Sequence, residues 1–367
     1  MNAPVRAATA VTLLILLSTL PGWLLAAAPP AGGAHDYRDR NFDYFVVGDP
    51  ASPRAAQPHF TLVLMGGGGS VDAAFTALAR SAGQGHLVIL RAVSDDSFDA
   101  DAGDYGRSFS TEWGPVASAE TLVFHNRQAS YDARVLATLA RADGIFIAGG
   151  DQANYIRYWK GTPVQRALNE HVRANRPLGG SSAGLAILGR YSYTALDGGS
   201  LESKVALPDP FSASVTLESD FLNPRYLGNV ITDSHFSQRS RLGRLIVFVA
   251  RLDLLRGDLN VLGVGIDERS ALLVDSRGIG RLATGSAASA WLVRAMRAPQ
   301  VLHAGAPLSA DDIQVTRIGP ASVIDFRDGR VSGPADQTSA VIHLGVPAAD
   351  PLLEPRILRT VVPPDEP

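Results

Sequence analysis

The sequence predicts an α/β fold, built on a mainly parallel sheet with helices on both faces and an antiparallel, β-rich C-terminal extension of the same domain. Short apolar runs alternate with helical stretches from about residue 58 to residue 190, the pattern of successive βαβ units. From about Val261 the texture changes to short β-like runs separated by Gly and Asp turns. The chain has 367 residues, of which 46% are hydrophobic and 19% charged, so a large core is available and no disordered character shows.

Met1 to Arg6 carries one basic side chain, residues 7–25 are uncharged, and Ala26-Ala27-Ala28 forms a small-residue site. Residues 1–28 therefore read as a cleaved signal peptide, and the mature protein is expected in the periplasm or secreted. An uncleaved anchor is the alternative, since this run is just long enough to span a bilayer. No later run approaches that length, so no membrane association is expected after cleavage. Residues 29–57, rich in Ala, Pro, Gly and Asp, read as a linker or N-terminal arm with an edge strand at Tyr44–Val47.

Residues 58–350 are expected to form the single catalytic-size domain. Strands are predicted at Phe60–Met65, His86–Ala92, Thr121–Phe124, Gly144–Ala148 and Leu178–Ser181. Helices are predicted at Asp72–Ala82, Asp132–Ala142, Ala153–Trp159, Pro163–Asn175 and from Ala183 to Leu188. Ser94 to Phe109, dominated by Asp and Gly, reads as a polar loop. In the extension, strands are predicted at Ala271–Asp275, Ala290–Val293, Ser322–Phe326 and Ser339–Leu344, and 351–367 reads as a tail. No internal repeat is present.

The chain has no cysteine, which removes thiol nucleophiles, thiolate-ligated metal and disulfides together. Its net charge of −3 gives no electrostatic footprint for nucleic acid. No metal site or cofactor is expected.

Gly180-Ser181-Ser182-Ala183-Gly184 matches G-x-S-x-G between a predicted strand and a predicted helix. A nucleophile on so sharp a turn needs small neighbours two residues away on each side, and Gly180 and Gly184 supply them. Ser182 is the expected nucleophile, with Ser181 as a rival lacking symmetric small flanks. The Ala183 N–H is the natural first oxyanion donor. Gly149-Gly150, directly after a predicted strand, is the best source of the second, although a plain strand-to-helix turn would look the same. Of eight histidines, His235 stands out at a strand end before a helix start carrying Arg239, Arg241 and Arg244. A solvated basic helix with an incidental histidine is the alternative.

Gly149-Gly150-Asp151-Gln152, Gly180 to Gly184, Asp233 to Leu245 and Gly265-Ile266-Asp267-Glu268 occur in that order. Together they resemble the cyanophycinase and aspartyl dipeptidase family of serine peptidases, over roughly Leu62 to Asp275, with the Gly66–Gly69 loop as first marker. The cyanophycinase side of the family is the closer match. The resemblance implies a glutamine-amidotransferase-like fold, Ser182 as nucleophile and His235 as base. It leaves two acids, Glu268 and Glu202, with Glu268 favoured as the group that orients the imidazole. It implies an Asp- or β-Asp-containing peptide or polymeric amide as substrate, ultimately cyanophycin cleaved to β-Asp-Arg dipeptides, and a homodimer. Gln152, Arg239, Arg241 and Arg244 are expected to bind substrate, the arginines as carboxylate forks. The acidic stretch Asp95, Asp96, Asp99, Asp101 and Asp104 would meet arginine side chains, or simply be solvated. One departure stands out: this chain has Asp233-Ser234-His235 where the family pattern has Asp-Gln-His, and the segment between Ser182 and His235 is enlarged. Two other readings stay open, an α/β-hydrolase esterase using His303 or His343, and a binding protein in which Ser182 is only a turn residue.

Overall fold

Five short apolar runs set the centre of the fold. In the computed structural model, which describes residues 36–93, 104–285 and 287–347, strands Ser118–Phe124, His86–Ala92, Gly144–Ile147, Leu178–Ser181 and Leu62–Met65 lie side by side in that order, all parallel. Nearly every residue in them is buried, as a sheet covered on both faces requires. Alternation along Leu62–Met65 divides the core. Leu62 and Leu64 pack with residues of helices Ala133–Arg141, Gln152–Trp159 and Pro163–Arg173. Val63 and Met65 pack with residues of helices Asp72–Ser81 and Asp104–Thr111.

Antiparallel strands extend this sheet at both edges. Phe42–Gly48 pairs with Ser118–Phe124, and the two-residue strand Tyr37–Arg38 lies outside it, so the first of these is not the edge strand expected at Tyr44–Val47. On the other side Ser270–Val274 pairs with Leu62–Met65, followed by Ile279–Thr284, Val323–Asp325 and Arg330–Ser332, which completes eleven strands.

The remaining strands build a second sheet of eight. At its centre Val230–Asp233 runs parallel to both Leu262–Ile266 and Tyr191–Tyr193. Ala290–Ala295, Ala310–Ile318, Ala335–His343 and Val346–Pro347 continue it in antiparallel fashion beyond Leu262–Ile266, and Leu217–Ser219 closes the other edge. Helix Leu242–Arg256 covers one face. It comes so close that a Cβ on Gly263 would stand 3.0 Å from Leu245 Cγ and Val249 Cγ2. Gly257, at φ +76°, ends that helix in the left-handed conformation glycine tolerates.

Two local expectations need correction. The polar stretch ending at Phe109 contains the helix Asp104–Thr111, held by the burial of Gly106 and Phe109 and by the packing of Phe109 edge-on against Phe75 and Trp113. The helix after Ser182 is one turn, Ala183–Ala186. The expected signal peptide, residues 29–35 of the arm, Asp95 to Asp101 and the tail lie outside the described residues. Among the described residues no helix is long and apolar enough to cross a membrane.

Candidate active site

The carboxyl ends of three adjacent parallel strands, where ligands of open α/β sheets gather, deliver the first half of the site. Leu62–Met65 leads into Gly66–Gly69, Gly144–Ile147 into Gly149–Gly150, and Leu178–Ser181 into Ser182. The second sheet delivers the other half. Val230–Asp233 leads to His235 and Leu262–Ile266 to Glu268, and the parallel register Asp233↔Gly265 puts these two residues side by side. Backbone hydrogen bonds stitch the halves together: His235 N–H donates to Gly66 O at 2.9 Å and Arg269 N–H to Gly67 O at 2.8 Å, while within the first half Ser182 N–H donates to Met65 O at 3.2 Å.

Ser182 has φ 54° and ψ −116°, a strained conformation that lifts its side chain off the end of the sheet. Its flanks must be small for the reason the sequence suggests. A Cβ on Gly180 would lie 2.6 Å from Gly184 O, and one on Gly184 would lie 2.0 Å from Ile147 O. Ser182 Oγ lies 2.7 Å from His235 Nε2, and His235 Nδ1 lies 2.6 Å from Glu268 Oε1. A carboxylate can only accept, so Nδ1–H donates to Glu268 and Nε2 is left to accept the serine proton. Burial, assisted by the positive charges of Arg239 and Arg241, holds the imidazole below its ordinary value of 6.5, against the opposing pull of Glu268. The histidine is therefore neutral and basic at pH 7.

The glycine loop wraps this chain of groups. At Gly67, with φ +91°, a Cβ would meet the imidazole Cε1 and Nε2 at 2.7 Å. At Gly68, with φ +72°, it would meet the Glu268 carboxylate at 2.5 Å. Gln238 Oε1 accepts the Glu268 N–H at 3.0 Å and steadies the acid from the other side.

Glu202 is set apart from this arrangement. It precedes the short helix Ser203–Ala206, its side chain is 62% exposed, and it pairs with Lys204 at 2.8 Å. The acid beside the histidine is Glu268. The late histidines needed by an esterase reading, His303 and His343, are both exposed.

Ala183 N–H is the first of its helical turn and has no intrahelical acceptor. A Cβ on Gly149 would lie 3.4 Å from Ser182 Cβ and 3.9 Å from its Oγ, so the Gly149 backbone borders the nucleophile directly. The Tyr155 hydroxyl donates to Ala148 O at 2.7 Å and to Gly149 O at 3.1 Å, which fixes that turn. Tyr155 carries no sequence signal for this role beyond lying in an expected helix.

Two hollows meet at Ser182 and His235. The first, of about 250 Å³, is lined by Gln152, Ser200, Arg239, Arg241 and Arg244 among others. The three arginines are not equivalent forks. Arg244 is 2% exposed and fully engaged. Its Nε donates to Asp233 Oδ2 at 2.7 Å, its Nη1 to Leu201 O at 2.9 Å, and its Nη2 to Asp233 Oδ1. Arg241 donates to Ser234 O at 2.8 Å and Ser200 Oγ at 2.9 Å, with a longer contact to Asp233. The expectation of three free carboxylate binders is thus corrected: Arg239 is exposed, while Arg241 and Arg244 are buried around Asp233 because the second sheet encloses that strand end. Burial and the neighbouring Arg244 and Arg239 charges, only partly offset by Asp233, push Arg241 down to about 10. Asp151 is the one carboxylate among the residues lining this hollow, set against three arginines.

The second hollow, of about 420 Å³, is lined by the glycine loop, Phe75, Asp104, Tyr105, Glu112 and Trp113. Phe75 and Trp113 stack at 3.9 Å, and Trp113 Nε1–H donates to Asp72 at 2.9 Å, which fixes the aromatic wall. Asp104 pairs with Arg107 at the mouth. Among the described residues no group of three His, Asp or Glu side chains is placed to hold a metal. The arrangement is equipped for acyl transfer through a serine, with contrasting charge on the two sides of the nucleophile.

Comparison with known proteins agrees with that chemistry. The chain is 31% identical over 160 residues to a cyanophycinase of Trichormus variabilis, which covers 43% of this chain and 48% of the relative. It is 32% identical over 164 residues to a cyanophycinase of Synechococcus elongatus, covering 44% and 46%. The chain thus spans about half the length of the curated relatives it matches. Among solved structures it is similar to a peptidase from an acI-B1 Actinobacterium, at 14% identity and a TM-score of 0.45, over 78% of this chain and 99% of that one. The sequence model of peptidase family S51 matches residues 62–281, which contain every residue of the arrangement described above, and the chain belongs to that family.

Proposed function

We propose that this protein is a serine peptidase that hydrolyses amide bonds next to aspartate, with cyanophycin, cleaved to β-Asp-Arg dipeptides, as its polymeric substrate. The observation that carries the reading is the unbroken chain Ser182 Oγ, His235 Nε2, His235 Nδ1, Glu268 Oε1, with links of 2.7 and 2.6 Å, at the junction of a cationic and an acidic hollow.

In this reading the Ser182 hydroxyl attacks the scissile carbonyl carbon as His235 Nε2 takes its proton. The oxyanion is met by the Ala183 N–H and the Gly149–Gly150 backbone. His235 then protonates the leaving amine, the C–N bond breaks, and Ser182 carries the acyl group. Water, deprotonated by the same imidazole, releases the acid and restores the hydroxyl. Glu268 keeps Nδ1–H fixed throughout and faces the imidazolium when it forms. The cationic hollow, through the exposed Arg239, suits a substrate carboxylate, and the aromatic hollow with Asp104 and Glu112 suits a guanidinium. Gln152 lines the first of these together with Ser182. Export of the protein belongs to the same proposal and rests on the apolar run 7–25 with its small-residue site at 26–28.

The test is incubation with purified cyanophycin and a panel of Asp- and β-Asp-containing dipeptides, with products identified by mass. β-Asp-Arg from the polymer is the expected product. Turnover confined to peptides lacking aspartate would refute the specificity and leave the serine chemistry standing.

A further inference from the structure

The turn that presents Glu268 carries a second carboxylate that none of the reaction steps uses. Asp267 is 2% exposed and is surrounded by neutral donors. Its Oδ1 accepts from Ser237 N–H at 2.9 Å, from the Ser237 hydroxyl, and from Trp291 Nε1–H at 3.0 Å, while its Oδ2 accepts from Ser289 N–H at 3.0 Å. Ser237 lies two residues past the catalytic base, and Asp267 adjoins the acid. One side chain therefore bridges the base-bearing turn and the acid-bearing turn.

The other two donors fix that bridge to the second sheet. Trp291 is fully buried on strand Ala290–Ala295, and its ring lies 6.2 Å from that of Phe236. Phe236 in turn presses on Gly265, where a Cβ would come within 2.5 Å of the ring. A buried carboxylate with four donors is costly to alter, because any donor left without a partner loses its full compensation for burial.

We propose that Asp267 is a positioning residue for catalysis, setting the separation of His235 and Glu268 by tying Ser237 to the turn that carries the acid. The proposal rests on the serine-peptidase reading above. In Asp267→Ala both carboxylate oxygens are lost, so the Ser237 N–H and hydroxyl have no acceptor on the acid-bearing turn and the bridge opens. A displacement of ~1 Å in a catalytic constellation costs on the order of 100-fold in rate.

The test measures the rate at which a fluorophosphonate labels Ser182 in folded, purified full-length variants, together with its pH dependence. Asp267→Ala is expected to slow labelling by roughly 10- to 100-fold. In a Glu268→Gln background it should add less than about threefold, because both changes disable the same pair of groups. A role confined to stability would instead leave the rate per folded molecule unchanged, and a role independent of the acid would multiply with Glu268→Gln; either result overturns the proposal. Where Asp267→Ala fails to fold, Ser237→Ala decides: slowed labelling supports the bridge, and labelling at the wild-type rate overturns it. Wild-type protein that does not label at all would refute the serine-peptidase reading itself, so the two failures are distinguishable.

Discussion

Alanine at position 67 should disable the enzyme far more than it unfolds it. A Cβ there would stand 2.7 Å from the His235 Cε1 and Nε2 atoms, whereas ordinary contact begins at 3.4 Å, so the imidazole must retreat by about 0.7 Å (3.4 − 2.7). Moving away along the line to Ser182 would stretch the 2.7 Å bond to about 3.4 Å, at the limit of useful proton transfer. Loss of general-base assistance costs roughly 10²- to 10⁴-fold. The backbone strain of alanine at φ +91° costs about 1–2 kcal/mol, a few degrees in melting temperature. Gly69→Ala is the internal control. It too places alanine at an unfavourable positive φ, +143°, but its Cβ would meet only the Arg269 side chain, at 3.6 Å. Fluorophosphonate labelling and thermal melting of both variants would separate strain from displacement. Gly67→Ala labelling as fast as Gly69→Ala would refute the account of why this loop is glycine.

Three further outcomes follow from the charges. His235 is held below 6.5, and its protonated form cannot accept the serine proton, so activity should be present above that region and fall along an acid limb centred below the ordinary histidine range; a limb centred above 6.5 would contradict the burial argument. His171 is buried, with Nε2 2.9 Å from Pro177 O, and burial lowers it to about 4. Its contribution to stability is full above about 6.5 and declines as pH falls from there towards 4, by at most about 3 kcal/mol. Urea midpoints at pH 7 and pH 4 should converge in His171→Gln, and unchanged separation would exclude His171 as a source of acid sensitivity. The arginines should divide: Arg244→Ala leaves Asp233 buried beside Arg241 alone and should cost roughly 3–5 kcal/mol, whereas Arg239→Ala should leave stability within about 0.5 kcal/mol and raise KM for acidic substrates. Equal destabilisation by the two would contradict the assignment.

The parallel strands were legible because burial on both faces leaves an unbroken apolar run, as in Leu62–Met65 and 87–90. Ser182 was legible because the demand for small flanks is local. The choice between Glu268 and Glu202 was not, since each is an acid at a turn and chain separation carries no geometry. It is decided by the pairing of Val230–Asp233 with Leu262–Ile266, a contact between strands whose lengths give little periodicity. The same second sheet, with members as short as Tyr191–Tyr193, encloses Asp233 and turns Arg241 and Arg244 from surface forks into buried partners. Helix Asp104–Thr111 stayed hidden because it buries only Gly106 and Phe109, too few positions to show a helical period.

The most direct test of the central claim is intact-mass and peptide mapping of the full-length protein after fluorophosphonate treatment at pH 7. A single adduct on Ser182, absent from Ser182→Ala and slowed by both His235→Ala and Glu268→Gln, is the predicted result. A folded wild-type protein that takes up no label, or a Ser182→Ala variant labelled to the same extent, would contradict it.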